Sequence, residues 1–72
     1  MTYAAMVAHL EAVVGRPVSR DERIPDIEVH SLDILEWLFS LESVFGLELD
    51  GKAIEIVERG TLGELYDHLH CS

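Results

Sequence analysis

The amino-acid sequence predicts a small all-α protein: a four-helix bundle with three longer helices, one short helix and a long loop between the first two. Three observations carry this expectation. Apolar residues recur at helical spacing over residues 2–14 and again over 31–45. Thr61 and Glu64 form a capping box at the head of a further apolar stripe. The chain has 72 residues, two prolines, five glycines and no internal repeat, which fits one small domain over residues 1–72.

The first helix is expected from Thr2 to about Val14. Tyr3, Met6, Val7, Leu10, Val13 and Val14 follow the i, i+3, i+4, i+7 pattern of one face. Thr2 is the N-cap and Gly15 the stop, with Arg16 placed to complement the negative end of the helix dipole. From Arg16 to His30, Pro17 and Pro25 exclude a continuous helix. Val18, Ile24 and Ile27 are spaced to pin this long loop onto a core.

The second helix, Ser31 to Phe45, ends at Gly46. At about 100° per residue, Ile34, Trp37, Leu38, Leu41, Val44 and Phe45 share the core side. Leu32, Leu35 and Phe39 form a second apolar strip flanked by Asp33, Glu36 and Glu42. Such a strip is either a binding surface or the mark of a helix packed on two sides. Residues 47–60 read either as a hairpin turning at Asp50-Gly51 or as a short helix capped by Asp50 and stopped by Gly60. A lone hairpin is poorly stable, which favours the helix. The last helix follows the capping box, with Leu62, Leu65, Tyr66 and Leu69 as its stripe.

Composition excludes several functions. Five Lys plus Arg against 14 acidic residues leave a net charge of -9, with no basic face for nucleic acid or for an anionic membrane. At 49% hydrophobic and 26% charged, the chain has the balance of a folded domain rather than of a disordered acidic tail. Cys71 stands alone, so no internal disulfide forms and a reducing compartment is expected. No apolar run approaches the roughly 20 residues of a membrane span, and no signal-peptide pattern opens the chain. The expected setting is cytoplasmic, with basic proteins as partners.

Ser31 is the residue of chemical interest. It follows the long loop and opens the clearest helix, where free N–H groups and partial positive charge stabilise an attached phosphate. Serine is also a favoured N-cap, so from the residues alone it either caps the helix or carries a group. A hydrolase is disfavoured: His30 neighbours Ser31 in sequence, but adjacent side chains on a helix diverge, and no glycine-bounded elbow surrounds the serine. His68, His70 and Cys71 lack the further ligands of a metal site. The charge layout says more. Between Ile24 and Gly51 lie Asp26, Glu28, Asp33, Glu36, Glu42, Glu48 and Asp50, with no Lys or Arg. Acids that rim an apolar strip steer it toward a basic patch on another protein.

These residues together resemble the acyl carrier protein family. Ile24-Pro25-Asp26-Ile27-Glu28-Val29-His30-Ser31-Leu32-Asp33 is similar to the family's loop ending in Asp-Ser-Leu. Residues 34–46 resemble its recognition helix without a gap, and Thr61-Leu62-Gly63-Glu64-Leu65 the start of its final helix. The resemblance implies a carrier, not an enzyme. A 4'-phosphopantetheine arm would be joined to Ser31 as a phosphodiester, making a phosphoprotein whose thiol holds acyl groups as thioesters. It further implies a monomeric, discrete acyl carrier for fatty acid, polyketide or related biosynthesis. A phosphopantetheinyl transferase would load it, and acyl-loading and condensing enzymes with basic docking patches would bind at Leu32, Asp33, Leu35, Glu36, Phe39 and Glu42. The bulk of Trp37 implies a small core cavity and short or polar cargo.

Two positions depart from the pattern. His30 stands where acyl carriers usually have Asp and peptidyl carriers often have His, so an aminoacyl or peptidyl carrier is the alternative. An unmodified carrier-like interaction module is another. Glu28 stands where the family commonly has Gly, and a non-glycine residue there must avoid a positive φ.

Overall fold

The structure is a computed structural model and describes residues 2–71, with the side chains of residues 2–70. Among them are four α-helices: α1 (Tyr3–Val14), α2 (Ser31–Phe45), α3 (Gly51–Arg59) and α4 (Leu62–Cys71). The long loop between α1 and α2 contains a 3-10 turn, Ile24–Asp26, which the sequence reading had left irregular. Extended pairing among the described residues is limited to an isolated bridge between Arg23 and Thr61. The all-α class and the helix order are as expected. No described helix is long and apolar enough to cross a membrane. The chain divides into two compact units, Met1–Val18 with Glu28–Glu48 and Ser19–Ile27 with Leu49–Ser72.

The first unit is built on α1 and α2. Thr2 Oγ1 accepts from the Ala5 N–H at 3.1 Å, which satisfies one of the free donors at the helix start. Gly15 ends α1 and Gly46 ends α2 in the left-handed region, at φ 82° and 63°, where a side chain would be strained. Met6, Val7 and Leu10 of α1 are buried, as are Trp37, Leu38 and Leu41 of α2. The indole N–H of Trp37 donates to the Met6 carbonyl at 2.8 Å, so the largest buried side chain leaves no polar atom unmatched. Two α1 side chains hold the end of this segment. The Tyr3 hydroxyl donates to the Val18 carbonyl at 2.9 Å, and the Glu11 carboxylate accepts from the Val18 N–H at 2.9 Å.

Three expectations need correction here. Val13 and Val44 were assigned to core faces but are 40% and 68% exposed. Each lies at the margin of its stripe in the last turn of its helix, where a short side chain cannot reach the interior. Arg16 is not in the last turn of α1; it lies past the glycine stop, and its guanidinium donates to the Pro17 carbonyl at 3.0 Å.

The second unit holds the 3-10 turn, α3 and α4. Residues 47–60 resolve to the helical alternative, with Asp50 Oδ1 accepting from the Ala53 N–H at 2.8 Å to cap α3. The capping box of α4 is reciprocal: Thr61 Oγ1 accepts from the Glu64 N–H and Glu64 Oε1 from the Thr61 N–H, both at 3.2 Å. Backbone bonds tie loop to helix ends, from Ile24 N–H to the Gly60 carbonyl at 2.9 Å, Leu62 N–H to Glu22 at 3.1 Å and Gly63 N–H to Arg20 at 2.9 Å. The last approach is close: a Cβ on Gly63 would sit 3.1 Å from the Arg20 carbonyl oxygen. Ile24, Ile27, Ala53, Ile56, Leu62, Leu65 and Leu69 are buried, so the loop isoleucines serve as the sequence suggested.

His68 Nε2 lies 3.1 Å from the same Asp50 oxygen that caps α3. The Ala53 N–H, and then His68, hold the Asp50 carboxyl below its ordinary 3.8. A carboxyl depressed by folding contributes stability above its unfolded value, and that contribution is lost as pH falls through the lower folded value. Wild-type protein is therefore expected to lose thermal stability below about pH 4 more steeply than Asp50→Asn, which keeps the capping oxygen but cannot titrate. Thermal unfolding from about pH 2 to 6 reads the difference, and parallel profiles for the two proteins would refute it.

Candidate functional site

The site is the junction of the long loop with α2. Val29 is half-buried and anchors the last loop residues, while Glu28, His30 and Ser31 are exposed. These four residues line an open recess. Glu28 does not adopt a positive φ, nor does any other described non-glycine residue, so its replacement of the usual glycine is tolerated without backbone strain.

Capping at this junction differs from the alternative in which Ser31 merely caps. The N-cap position belongs to His30, whose carbonyl accepts from the N–H groups of Asp33 at 3.0 Å and Ile34 at 3.1 Å. No side chain caps the helix. Ser31 is the first helical residue, and its hydroxyl makes no hydrogen bond among the described residues. Helices leave their first N–H groups without internal acceptors, and those dipoles give the end a partial positive charge. A small nucleophilic oxygen therefore stands in solvent at the positive end of a 15-residue helix.

The geometry of α2 sorts the remaining candidates. Leu32, Leu35 and Phe39 are 67%, 47% and 62% exposed and form one outward strip. Glu36 and Glu42 are exposed beside it, and Asp33 is half-buried in the first turn. Trp37, Leu38 and Leu41 occupy the opposite, buried side, so the helix is not packed on two faces within its own unit. Of the C-terminal histidines, His68 is held by Asp50 and His70 stacks on Tyr66 with ring centroids 5.3 Å apart. The Cys71 side chain lies outside the described residues. Among those described, no three His, Cys, Asp or Glu residues are grouped to hold a metal ion.

Chemically, the junction offers an exposed hydroxyl for a transferred group and a mixed apolar and acidic face beside it. It offers no base within hydrogen-bond distance of the hydroxyl among the described residues. The sequence places the start of this helix at Ser31, as observed, but not the cap at His30 or the recess, because periodicity does not tell the cap from the first helical residue.

A family model described as "phosphopantetheine attachment site" matches residues 4–69 of the chain. No curated protein and no solved structure matches it.

The cap geometry separates two serine and threonine substitutions. Ser31→Ala is expected to change stability by no more than about 0.5 kcal/mol, since it removes no hydrogen bond. Thr61→Ala removes a capping oxygen and should cost about 1 kcal/mol, lowering Tm by about 4–8 °C. Circular-dichroism melting of both variants checks this, and an equal loss for Ser31→Ala would show that its hydroxyl does cap.

Proposed function

The chain belongs to the phosphopantetheine attachment-site family, whose members carry covalent 4'-phosphopantetheine and are carriers rather than catalysts, and from that premise we propose that it is a discrete acyl carrier protein modified at Ser31. The observation that carries the proposal is the Ser31 hydroxyl itself, exposed, without a hydrogen bond, at the first position of α2. The residues present fit the arm. Ser31 lines an open recess with Glu28, Val29 and His30, and it stands at the helix start, whose free N–H dipoles suit the charge of a phosphodiester.

The arm supplies a thiol that holds the cargo as a thioester. The protein supplies the address. A transferase and further partner enzymes act on carriers of this family. In this reading they dock on Leu32, Leu35 and Phe39, steered by Asp33, Glu36 and Glu42 toward Lys and Arg on the partner. Such docking is quick to form and salt-sensitive, because exposed charges are screened beyond about 8 Å at physiological ionic strength. The acidic α2 favours a free-standing acyl carrier over a peptidyl one. Trp37, filling the space between α1 and α2, favours short or polar cargo. His30 before Ser31 supports the second reading, an aminoacyl or peptidyl carrier. Loading by an amino-acid adenylating ligase rather than acceptance by a ketosynthase would favour it.

Intact mass after incubation with coenzyme A and a broad-specificity phosphopantetheinyl transferase tests the attachment. Wild type is expected to gain one phosphopantetheinyl group and Ser31→Ala none. No gain in wild type, or a gain in Ser31→Ala, refutes the assignment. The docking face is tested with Leu35→Arg and Glu36→Lys. Both should slow cargo transfer with a cognate synthase by about tenfold, equivalent to ~1.4 kcal/mol, with an unchanged helical spectrum. Unaltered transfer rates would remove α2 as the partner face.

A further inference from the structure

His30 is exposed, and its side chain takes no part in capping α2 although the residue occupies the cap position. It lines the same recess as Ser31. Its carbonyl is held by the N–H groups of Asp33 and Ile34, so its backbone is fixed at the mouth of the recess while the imidazole is left to other partners. Between Ile24 and Gly51 the chain has seven carboxylates and no Lys or Arg, which makes His30 the one side chain of that stretch able to carry positive charge. Imidazole changes charge between about pH 5 and 8.

His30 and Ser31 border the same recess, so a phosphodiester on Ser31 would set one permanent negative charge in a space the imidazole can reach across, although the two side chains make no contact of their own. The charged groups flanking it are Glu28, which lines the recess, and Asp33, in the first turn of α2. Both carboxylates repel a phosphate; the N–H dipoles at the start of α2 offset them in part, and His30 is the one side chain of the stretch that can do so with a full charge. Resting on attachment at Ser31, we infer that His30 is a positioning residue for the arm: its protonated imidazole pairs with the phosphate and draws the base of the arm over the recess. The pairing takes up a proton from solvent and breaks no bond. It makes the arm's lie pH-dependent, held across the recess when His30 is charged and released when it is neutral. Glu28 and Asp33 are present with and without the arm, so comparing the two forms isolates the phosphate.

An exposed pair of this kind is worth little, which sets the expected signal. The titration midpoint of His30 should rise by about 0.2–0.7 pH units on modification. The experiment uses the full chain. Proton NMR follows the imidazole Hε1 signals in the unmodified and modified protein, with the exposed His9 of α1 as internal reference. Phosphorus NMR follows the phosphodiester. The expected result is a higher midpoint for His30 only, and a phosphorus shift that titrates with that midpoint and is lost in His30→Gln. An unmoved His30 midpoint in protein of the modified mass overturns this inference and leaves attachment standing, as does a phosphorus titration that survives His30→Gln. Protein that gains no mass overturns the attachment, and the inference with it.

Discussion

The indole N–H of Trp37 must find an acceptor. The ring is wholly buried, and an unmatched donor there costs about 1–3 kcal/mol, a large share of the stability available to a 72-residue chain. The Met6 carbonyl meets it at 2.8 Å. Because that acceptor is part of α1, the bond fixes α2 in rotation about its own axis. With about 100° per residue, turning Trp37 inward turns Leu32, Leu35 and Phe39 outward and leaves Ser31 about a third of a turn from Trp37. A rotation that hid the apolar strip would pull the indole away from Met6. The outward strip is thus held in place by the core behind it, and its exposure is a consequence of packing rather than a failure of it.

The same helix concentrates one sign of charge. The unit that holds α1 and α2 has Arg16 as its only Lys or Arg, and Arg16 lies beyond the end of α1. The other cations, Arg20, Arg23, Lys52 and Arg59, belong to the second unit. There Arg20 pairs with Asp67 at 2.9 Å and covers the Tyr66 ring, and Arg23 donates to the Arg59 carbonyl at 3.3 Å. Cations used to bind loop to helix cannot neutralise α2 within its own unit. Within that unit the acids of α2 therefore keep a mutual repulsion that salt screens.

What the sequence made legible follows from the range of each interaction. Caps act within three residues, so Thr2 and the Thr61–Glu64 pair could be read directly, as could the stops at Gly15 and Gly46, while Asp50 stayed open between a turn and a cap until the instability of a lone hairpin was weighed. Stripes were legible at their centres and failed at their margins, where Val13 and Val44 depend on how far the neighbouring element extends. The Arg23–Thr61 bridge and the bonds from residues 20–24 to 60–63 were not legible, since backbone groups pair without regard to side-chain identity. The position of Ser31 at the start of α2 was legible from the loop before it and the helical stripe after it. Its freedom from capping was not, because serine is equally at home at the cap and at the first helical position, and which carbonyl opens the helix is decided by the backbone at His30.

That freedom also accounts for why a reactive-looking residue belongs to a carrier and not to a catalyst. A serine nucleophile gains its power from a base that shares its proton and from a third group that orients the base. Each contact would also restrict the hydroxyl and shield it from an incoming enzyme. Here His30 precedes the serine on the chain and makes its structural bonds through its backbone. Among the described residues nothing activates or covers the Ser31 oxygen. An oxygen in that state performs little chemistry of its own, yet it can be approached from solvent by an enzyme that brings both base and donor. The rigid half of the arrangement is the helix locked through Trp37, and the mobile half would be the group attached at its first residue. In the proposed reading, separating the two would let one fixed surface be recognised by successive partners while the cargo moves between them.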